Sequence, residues 1–254
     1  MNPAAHDGGD PAEYGDHIAD VYDDWHGGRD DVTPVVDFLA AWAGETMGRP
    51  VLELGIGTGR IALPLAARGI RVDGIDSSRR MVQRLREKPG GAGVQVTIGD
   101  FADVAAPGGP YGLVYVVFNT FFALLTQDDQ VRCFGNVAAS LLPGGAFVME
   151  SFVPDLSLYG HGQQRVRVDG FEQDATRLSA TLHDAASQRF RARHMVLTAD
   201  GIQTYPVELR YAWPSELDLM ARMAGLRLVQ RWENWSRAPF RDASTAHVSV
   251  WEKQ

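Results

Sequence analysis

The sequence predicts an α/β protein: a three-layer sandwich around a mostly parallel seven-stranded sheet with an antiparallel last strand, plus a small inserted antiparallel β-sheet. Three observations predict it. Between residues 51 and 152, short apolar runs alternate with stretches whose apolar residues recur at helical spacing, the order that builds a parallel sheet with crossover helices. The first run, Val51 to Leu54, ends in glycines on alternate positions, Gly55, Gly57 and Gly59, and a helical pattern follows. From Gln163 the apolar period changes to about two, the period of half-buried strands.

Residues 1–11, rich in Gly, Pro, Asp and Ala, are expected to be mobile. From Pro11, Tyr14, Ile18, Val21, Tyr22 and Trp25 fall on one helical face, which either packs on the core or covers a ligand site; the two readings are compatible. Thr33 reads as an N-cap with Pro34 at the first helical position, Val35, Leu39 and Trp42 as the inner face, and Gly44 as the stop. After strand 51–54 the first crossover helix ends at Gly69. Strand 70–75 closes on Asp76, and Ser77 is expected to cap a helix burying Met81, Val82 and Leu85. Strand 94–98 leads to Gly99-Asp100-Phe101, with Asp103 as a cap of the segment beyond. Strand 112–118 is a continuous apolar run of the buried parallel type. Thr126 and Asp129 form a capping-box-like start to the next helix, which Leu141-Leu142-Pro143-Gly144-Gly145 ends in a tight turn before strand 146–152.

Three or four antiparallel strands are expected over 164–212, with turns at 183–187 and 200–201. Arg189, Arg191 and Arg193 read as a solvated sheet face. Pro214 to Ala224 reads as a helix with Leu217, Met220 and Met223 inward, and 226–232 and 247–251 as a closing hairpin.

Composition narrows the function classes. The chain has 254 residues, 45% hydrophobic and 22% charged, as in an ordinary soluble domain. A net charge of −8 argues against nucleic acid or an anionic membrane as partner. The longest apolar stretch, 113–125, is interrupted by Asn119 and Thr120 and is too short for a membrane span. The acidic N-terminal sequence has no apolar core of a secretory signal, so a cytoplasmic location is the default. The one cysteine, Cys133, reads as a buried thiol, and no Cys/His spacing calls for a metal.

A strand entering a Gly-rich turn and then a helix suits a nucleotide-like ligand, because glycine lets the backbone approach closely and the helix start presents N–H groups. A dinucleotide fingerprint needs glycine at position 60. Here that residue is Arg60, the third glycine is Gly59, and Glu53 precedes the loop. This pattern, E-L-G-x-G-T-G-R, resembles motif I of the class I S-adenosylmethionine (SAM)-dependent methyltransferases, whose fold is Rossmann-like. Asp76 lies about 20 residues on, the spacing of a carboxylate that accepts ribose hydroxyls. In the resemblance, Asp100 takes the adenine amino group and Phe101 lies against the ring. Singly, either Asp also reads as a cap or turn former.

The resemblance spans residues 12–254, with its specific motifs in the hundred or so residues after Arg49. It implies SAM as cofactor, with S-adenosylhomocysteine (SAH) as product, held by Tyr22, Glu53, Gly55, Gly57, Gly59, Arg60, Asp76, Ser77, Met81, Asp100, Phe101 and Phe118. Tyr22 to Trp25, Y-D-x-W, looks like the N-terminal cover of small-molecule methyltransferases, with Tyr14 and Tyr22 in the pocket. In the family the end of the fourth strand, Phe118 to Phe122, faces the transferable methyl. Asn119 would offer its carbonyl to an amine or hydroxyl, or else satisfy a turn. Phe118 and Phe122 would shield the reacting centre and attract the sulfonium. The motif departs from the N-P-P-aromatic pattern of amino-group and nucleic-acid methyltransferases. The inserted sheet looks like that of bacterial small-molecule and sugar-amine N-methyltransferases, where it shapes the acceptor site and a dimer contact. The expectation is a small-molecule acceptor, nitrogen ahead of oxygen or carbon, and a homodimer through the insertion. No catalytic base is assigned; His161 and His183 read as surface or loop residues.

The corresponding division is 1–46 as cap, 47–162 as SAM-binding core, 163–213 as insertion and 214–254 as the end of the core. Two rivals stay open: a SAM-binding member that transfers no methyl, and an NAD(P) oxidoreductase, opposed by Arg60 and by the lack of a Tyr-x-x-x-Lys set.

Overall fold

The computed structural model describes residues 10–26, 31–45, 48–160 and 162–254. The expectations for residues 1–9 and for His161 lie outside the described residues. The chain runs α1 (Glu13–Ile18), α2 (Tyr22–His26), α3 (Thr33–Glu45), β1 (Val51–Leu54), α4 (Ala62–Ala67), β2 (Val72–Asp76), α5 (Arg79–Glu87), β3 (Gln95–Ile98), β4 (Tyr111–Val116), α6 (Gln127–Ser140) and β5 (Leu141–Phe152). It continues with β6 (Gln164–Phe171), β7 (Thr176–Asp184), β8 (Arg189–Thr198), β9 (Gly201–Arg210), α7 (Pro214–Met223), β10 (Leu226–Trp232) and β11 (Ala246–Lys253).

A seven-stranded sheet has the order β10-β11-β5-β4-β1-β2-β3, and a separate four-stranded sheet the order β6-β7-β8-β9. The pairs β3–β2, β2–β1, β1–β4 and β4–β5 are parallel, whereas β11 runs antiparallel to both β5 and β10. This is the predicted α/β sandwich with an antiparallel last strand. Every residue of β1 and β4 is buried, as their unbroken apolar runs require. Two apolar clusters flank the sheet: Phe134, Phe147, Met149, Leu217 and Trp251 on one side, Leu39, Ile61, Leu65, Val148 and Val250 on the other. All four strands of the second sheet pair antiparallel.

Several local expectations change. The N-terminal pattern forms two short helices, α1 and α2, broken at residues 19–21. Ser78, not Ser77, caps α5, its hydroxyl accepting from the Met81 N–H. Thr33 is already helical, and Asp31 accepts its N–H. Asp103 pairs with Arg132 instead of capping, while Asp100 accepts from the Ala102 N–H at 2.8 Å. The Leu141–Gly145 turn is a bulge inside β5: Tyr111 pairs with Leu141, and Leu113 with Ala146. Met223 points outward, 67% exposed, because α7 buries only Leu217, Met220 and Ala221. His183 is buried on β7, between the Gln163 amide oxygen and the Tyr211 hydroxyl. Arg191 and Arg193 are exposed, but Arg189 donates to the Leu125 carbonyl at 2.7 Å. Cys133 is buried, which raises its thiol pKa. Among the described residues no helix is long and apolar enough to cross a membrane.

Candidate active site

The glycine loop leaves β1 with Gly55, Gly57 and Gly59 at φ of 69°, 55° and 79°. Only glycine adopts this left-handed geometry without strain. A Cβ on Gly59 would come within 3.1 Å of Leu85, so this glycine lets the loop pack against α5. A Cβ on Gly57 would meet nothing within 4 Å, so Gly57 borders open space. The loop is tied to the end of β2 by Asp76, whose Oδ2 accepts from the Gly57 N–H at 2.7 Å and whose Oδ1 accepts from the Ser78 N–H at 2.8 Å. Burial raises the Asp76 pKa against these bonds. Asp100 stands at the end of the adjacent β3, its pKa also raised by burial, and the Phe101 ring lies beside Gly55.

Glu53 is buried beneath the loop and accepts from the Tyr115 hydroxyl at 2.8 Å. Burial outweighs that bond and the charge of Arg60, and pushes the Glu53 pKa up to about 8. Arg60 hydrogen-bonds to the Tyr22 hydroxyl and stacks over the Phe118 ring, 4.5 Å from its centre.

The N-terminal helices are fastened over this edge. Thr58 donates to Asp23 at 2.7 Å, and Lys88 reaches both Asp23 and the Thr58 carbonyl at 2.9 Å. Ser78 donates to Asp16, and Ser77 donates to the Pro11 carbonyl at 2.8 Å. Met81 is buried against Ile18 and Ala19, under the cover.

At the end of β4, Phe118 and Asn119 have φ of 59° and 63°. Each left-handed non-glycine residue costs about 1–2 kcal/mol, so specific partners must hold them. The Phe118 N–H donates to Glu150 Oε2 at 2.8 Å, Trp235 Nε1 donates to Glu150 Oε1 at 2.9 Å, and the Phe152 N–H donates to Asn119 Oδ1 at 2.7 Å. The Asn119 carbonyl expected to meet the acceptor is therefore engaged by backbone. Phe122 is fully buried, its ring 5.0 Å from that of Phe152, and takes no part in lining the cleft.

A cleft of about 840 Å³ opens above this floor of Phe118, Asn119 and Thr120. One wall is Tyr14, Tyr22, Trp25 and His26 from the cover. The facing wall comes from the four-stranded sheet, with Leu178, Met195, Val207 and Leu209 among polar neighbours. Burial raises the pKa of both Tyr14 and Tyr22. Glu150, Tyr115 and His26 were not singled out from sequence. Only Glu150 carried a visible signal, an acid at the end of a buried strand.

A sequence family described as methyltransferase domain matches residues 51–145. The structure of the CcbJ methyltransferase from Streptomyces caelestis superposes with a TM-score of 0.89 at 41% identity, covering 96% of this chain and 99% of that one. The chain belongs to the SAM-dependent methyltransferases. The cypemycin N-terminal methyltransferase of Streptomyces sp is 28% identical over 219 residues, 85% of this chain and 89% of that protein. The dTDP-4-amino-2,3,4,6-tetradeoxy-D-glucose N,N-dimethyltransferase of Saccharopolyspora spinosa is 29% identical over 206 residues, 75% and 76% of the two chains. This methyltransferase uses SAM and releases SAH, which removes both the oxidoreductase reading and the reading without methyl transfer.

Proposed function

We propose that the acceptor is an amine nitrogen on a small molecule with an apolar body. The cleft carries this reading. Its reacting end is ringed by Tyr14, Tyr22 and Phe118, faces that attract a cation, and its far wall offers the apolar side chains of β7, β8 and β9, which Trp25 meets. The cypemycin and amino-sugar relatives are both named for transfer to nitrogen.

The residues present fit SAM. Each Asp76 oxygen spends one lone pair on a backbone N–H and keeps another for a ribose hydroxyl. Open space over Gly57 lets a ligand approach the loop. In this reading Asp100 and Phe101 hold the adenine, Met81 and Ser77 line the nucleoside, and Arg60 with Tyr22 holds the carboxylate end. Glu53, Gly55 and Gly59 shape the loop itself. When bound, SAM supplies a methyl carbon made electrophilic by its sulfonium. The protein's task is then alignment, which by itself is worth about 7–11 kcal/mol. Asn119, its carbonyl taken, meets the acceptor through its amide nitrogen.

The same reading takes the enzyme as cytoplasmic and as a homodimer through the four-stranded sheet, where Val166, Phe171 and Ile202 are 71%, 85% and 66% exposed. Light scattering tests the dimer; a monomer at micromolar concentration removes it. For the acceptor, the protein is incubated with trideuteromethyl-SAM and a panel of secondary amines, alcohols and phenols matched in apolar body. Mass spectrometry should find label on nitrogen. Label only on oxygen or carbon overturns the reading.

A further inference from the structure

We infer that His26 is the proton acceptor of the transfer: its imidazole removes the proton from the acceptor nitrogen and so frees the lone pair that takes the methyl group. The inference rests on the amine reading above. An aliphatic ammonium of the lysine kind titrates near 10.4. At neutral pH such an acceptor is mostly protonated and without a nucleophilic pair, and a group at the reacting end of the cleft that receives the proton there frees the pair in place.

The cleft offers few groups for it. Tyr14 and Tyr22 are phenols, which titrate near 10 and so keep their own protons at neutral pH. Asp169 is paired with Arg167 and Glu208 with Arg189, both on the far wall. His194 lies on that wall too, its ring 6.5 Å from Trp25, with burial lowering its pKa. His26 sits at the reacting end. Its ring meets Phe118 edge-to-face at 4.9 Å and Tyr22 at 4.8 Å. Phe118 is the residue that the left-handed end of β4 turns under Arg60, where the glycine loop meets the cleft. His26 thus touches the ring that joins the cofactor side to the acceptor side. Among the described residues, the ionisable groups nearby are Asp23, Asp24 and Tyr22 on its own helix, Tyr14 on the same wall of the cleft and Arg60 over the Phe118 ring that His26 meets. Across the cleft stand His194, Asp169, Arg167, Arg177 and Glu208.

The step balances within the site. An N–H bond of the acceptor ammonium breaks, its electron pair stays on nitrogen, and the proton forms an N–H bond on the imidazole. That pair then becomes the new N–C bond. The imidazole, only partly buried, returns the proton to water. General-base assistance of this kind is worth about 10²–10⁴-fold.

The test needs no acceptor. Sinefungin is a SAM analogue with an ammonium in place of the methylated sulfonium, and SAH carries neither charge there. Dissociation constants of both are measured by calorimetry from about pH 8.5 down to about pH 5.5, across the range in which imidazole titrates. If His26 faces the reacting centre, its protonation repels the sinefungin ammonium. Sinefungin should then lose roughly tenfold or more in affinity relative to SAH as pH falls, the effect of a like charge within about 4–6 Å. The slope should shrink in His26→Asn and in His26→Phe, the latter keeping the ring contacts, to what the titration of Glu53 leaves, and persist in full in His194→Asn. Unchanged SAH binding reports that the variants fold. If either variant loses SAH binding, the other and the wild-type slope decide. A flat ratio in the wild type, or an equal slope without His26, overturns the inference. Because the ratio involves no acceptor, label on oxygen in the panel above would remove the amine reading and leave this result standing on its own.

Discussion

All four residues of β1 and all six of β4 are buried, whereas β6, an edge strand of the four-stranded sheet, has no buried residue. The segment that follows β4 floors the cleft, and the four-stranded sheet walls it. The glycine-loop edge, proposed for the cofactor, places its groups through backbone: left-handed glycines, strand ends, and a carboxylate bonded to two N–H groups. The four-stranded sheet, proposed for the acceptor, places its groups through side chains on half-exposed strands. It is moored to the core at a buried junction, where Arg210 donates to Gln130, Gln188 and Glu216. Such a division lets the acceptor wall change in sequence while the cofactor edge keeps its shape, because backbone geometry does not depend on the far wall.

Four variants break or sharpen that comparison. The largest effect is expected for Arg210→Met. Removing one partner of a buried ion pair costs about 3–5 kcal/mol, and here it also leaves Gln130 and Gln188 short of a donor. Denaturant titration should show the loss, while SAM still raises Tm. If SAM no longer does, the two walls are not independent.

Next comes Glu53, whose folded pKa of about 8 lies above its ordinary 4.5. The folded state holds a proton that the unfolded chain releases, so the associated stability is complete below about pH 4.5 and is lost as pH rises through 8. At about 1.4 kcal/mol per unit, the wild type should lose on the order of 4 kcal/mol across that window. Glu53→Gln should flatten the curve; an unchanged pH profile of Tm would mean that Glu53 titrates normally.

A ligand at about 100 times its dissociation constant adds about 2.7 kcal/mol to the folded state. Asp76→Ala should abolish this gain for SAM and SAH, measured as a thermal shift, and NAD should give none in either protein. A retained shift would detach Asp76 from the cofactor. The smallest effect is expected for Met195→Ala on the acceptor wall. Losing apolar contact worth about 1–2 kcal/mol should raise the acceptor KM by roughly tenfold and leave SAM affinity alone. A change in SAM affinity instead would place the cofactor, not the acceptor, against the sheet.

Legibility follows the same divide. The strand-glycine-helix edge was readable because its geometry is local: residues 51–60 carry both the turn and the reason for it, and Asp76 and Asp100 close their strands in plain view. Asn119 and Phe122 were read from the same short stretch and went elsewhere. The Asn119 carbonyl meets the backbone of Phe152, 33 residues away, and Phe122 fills a gap against that residue's ring. Glu150 pins Phe118 from 32 residues away, so nothing near Phe118 announces it.

What the sequence determined by itself is the class of fold, the order of its strands and the strand–glycine–helix turn, because periodicity and glycine placement act over a few residues. What only the tertiary structure decided is the cleft: which rings converge on Phe118, that His26 is among them, and which strands form the opposite wall. Those depend on how α2, β4 and β6–β9 pack, contacts between residues about a hundred or more apart, and a pattern of local spacing holds no record of where a distant side chain comes to rest.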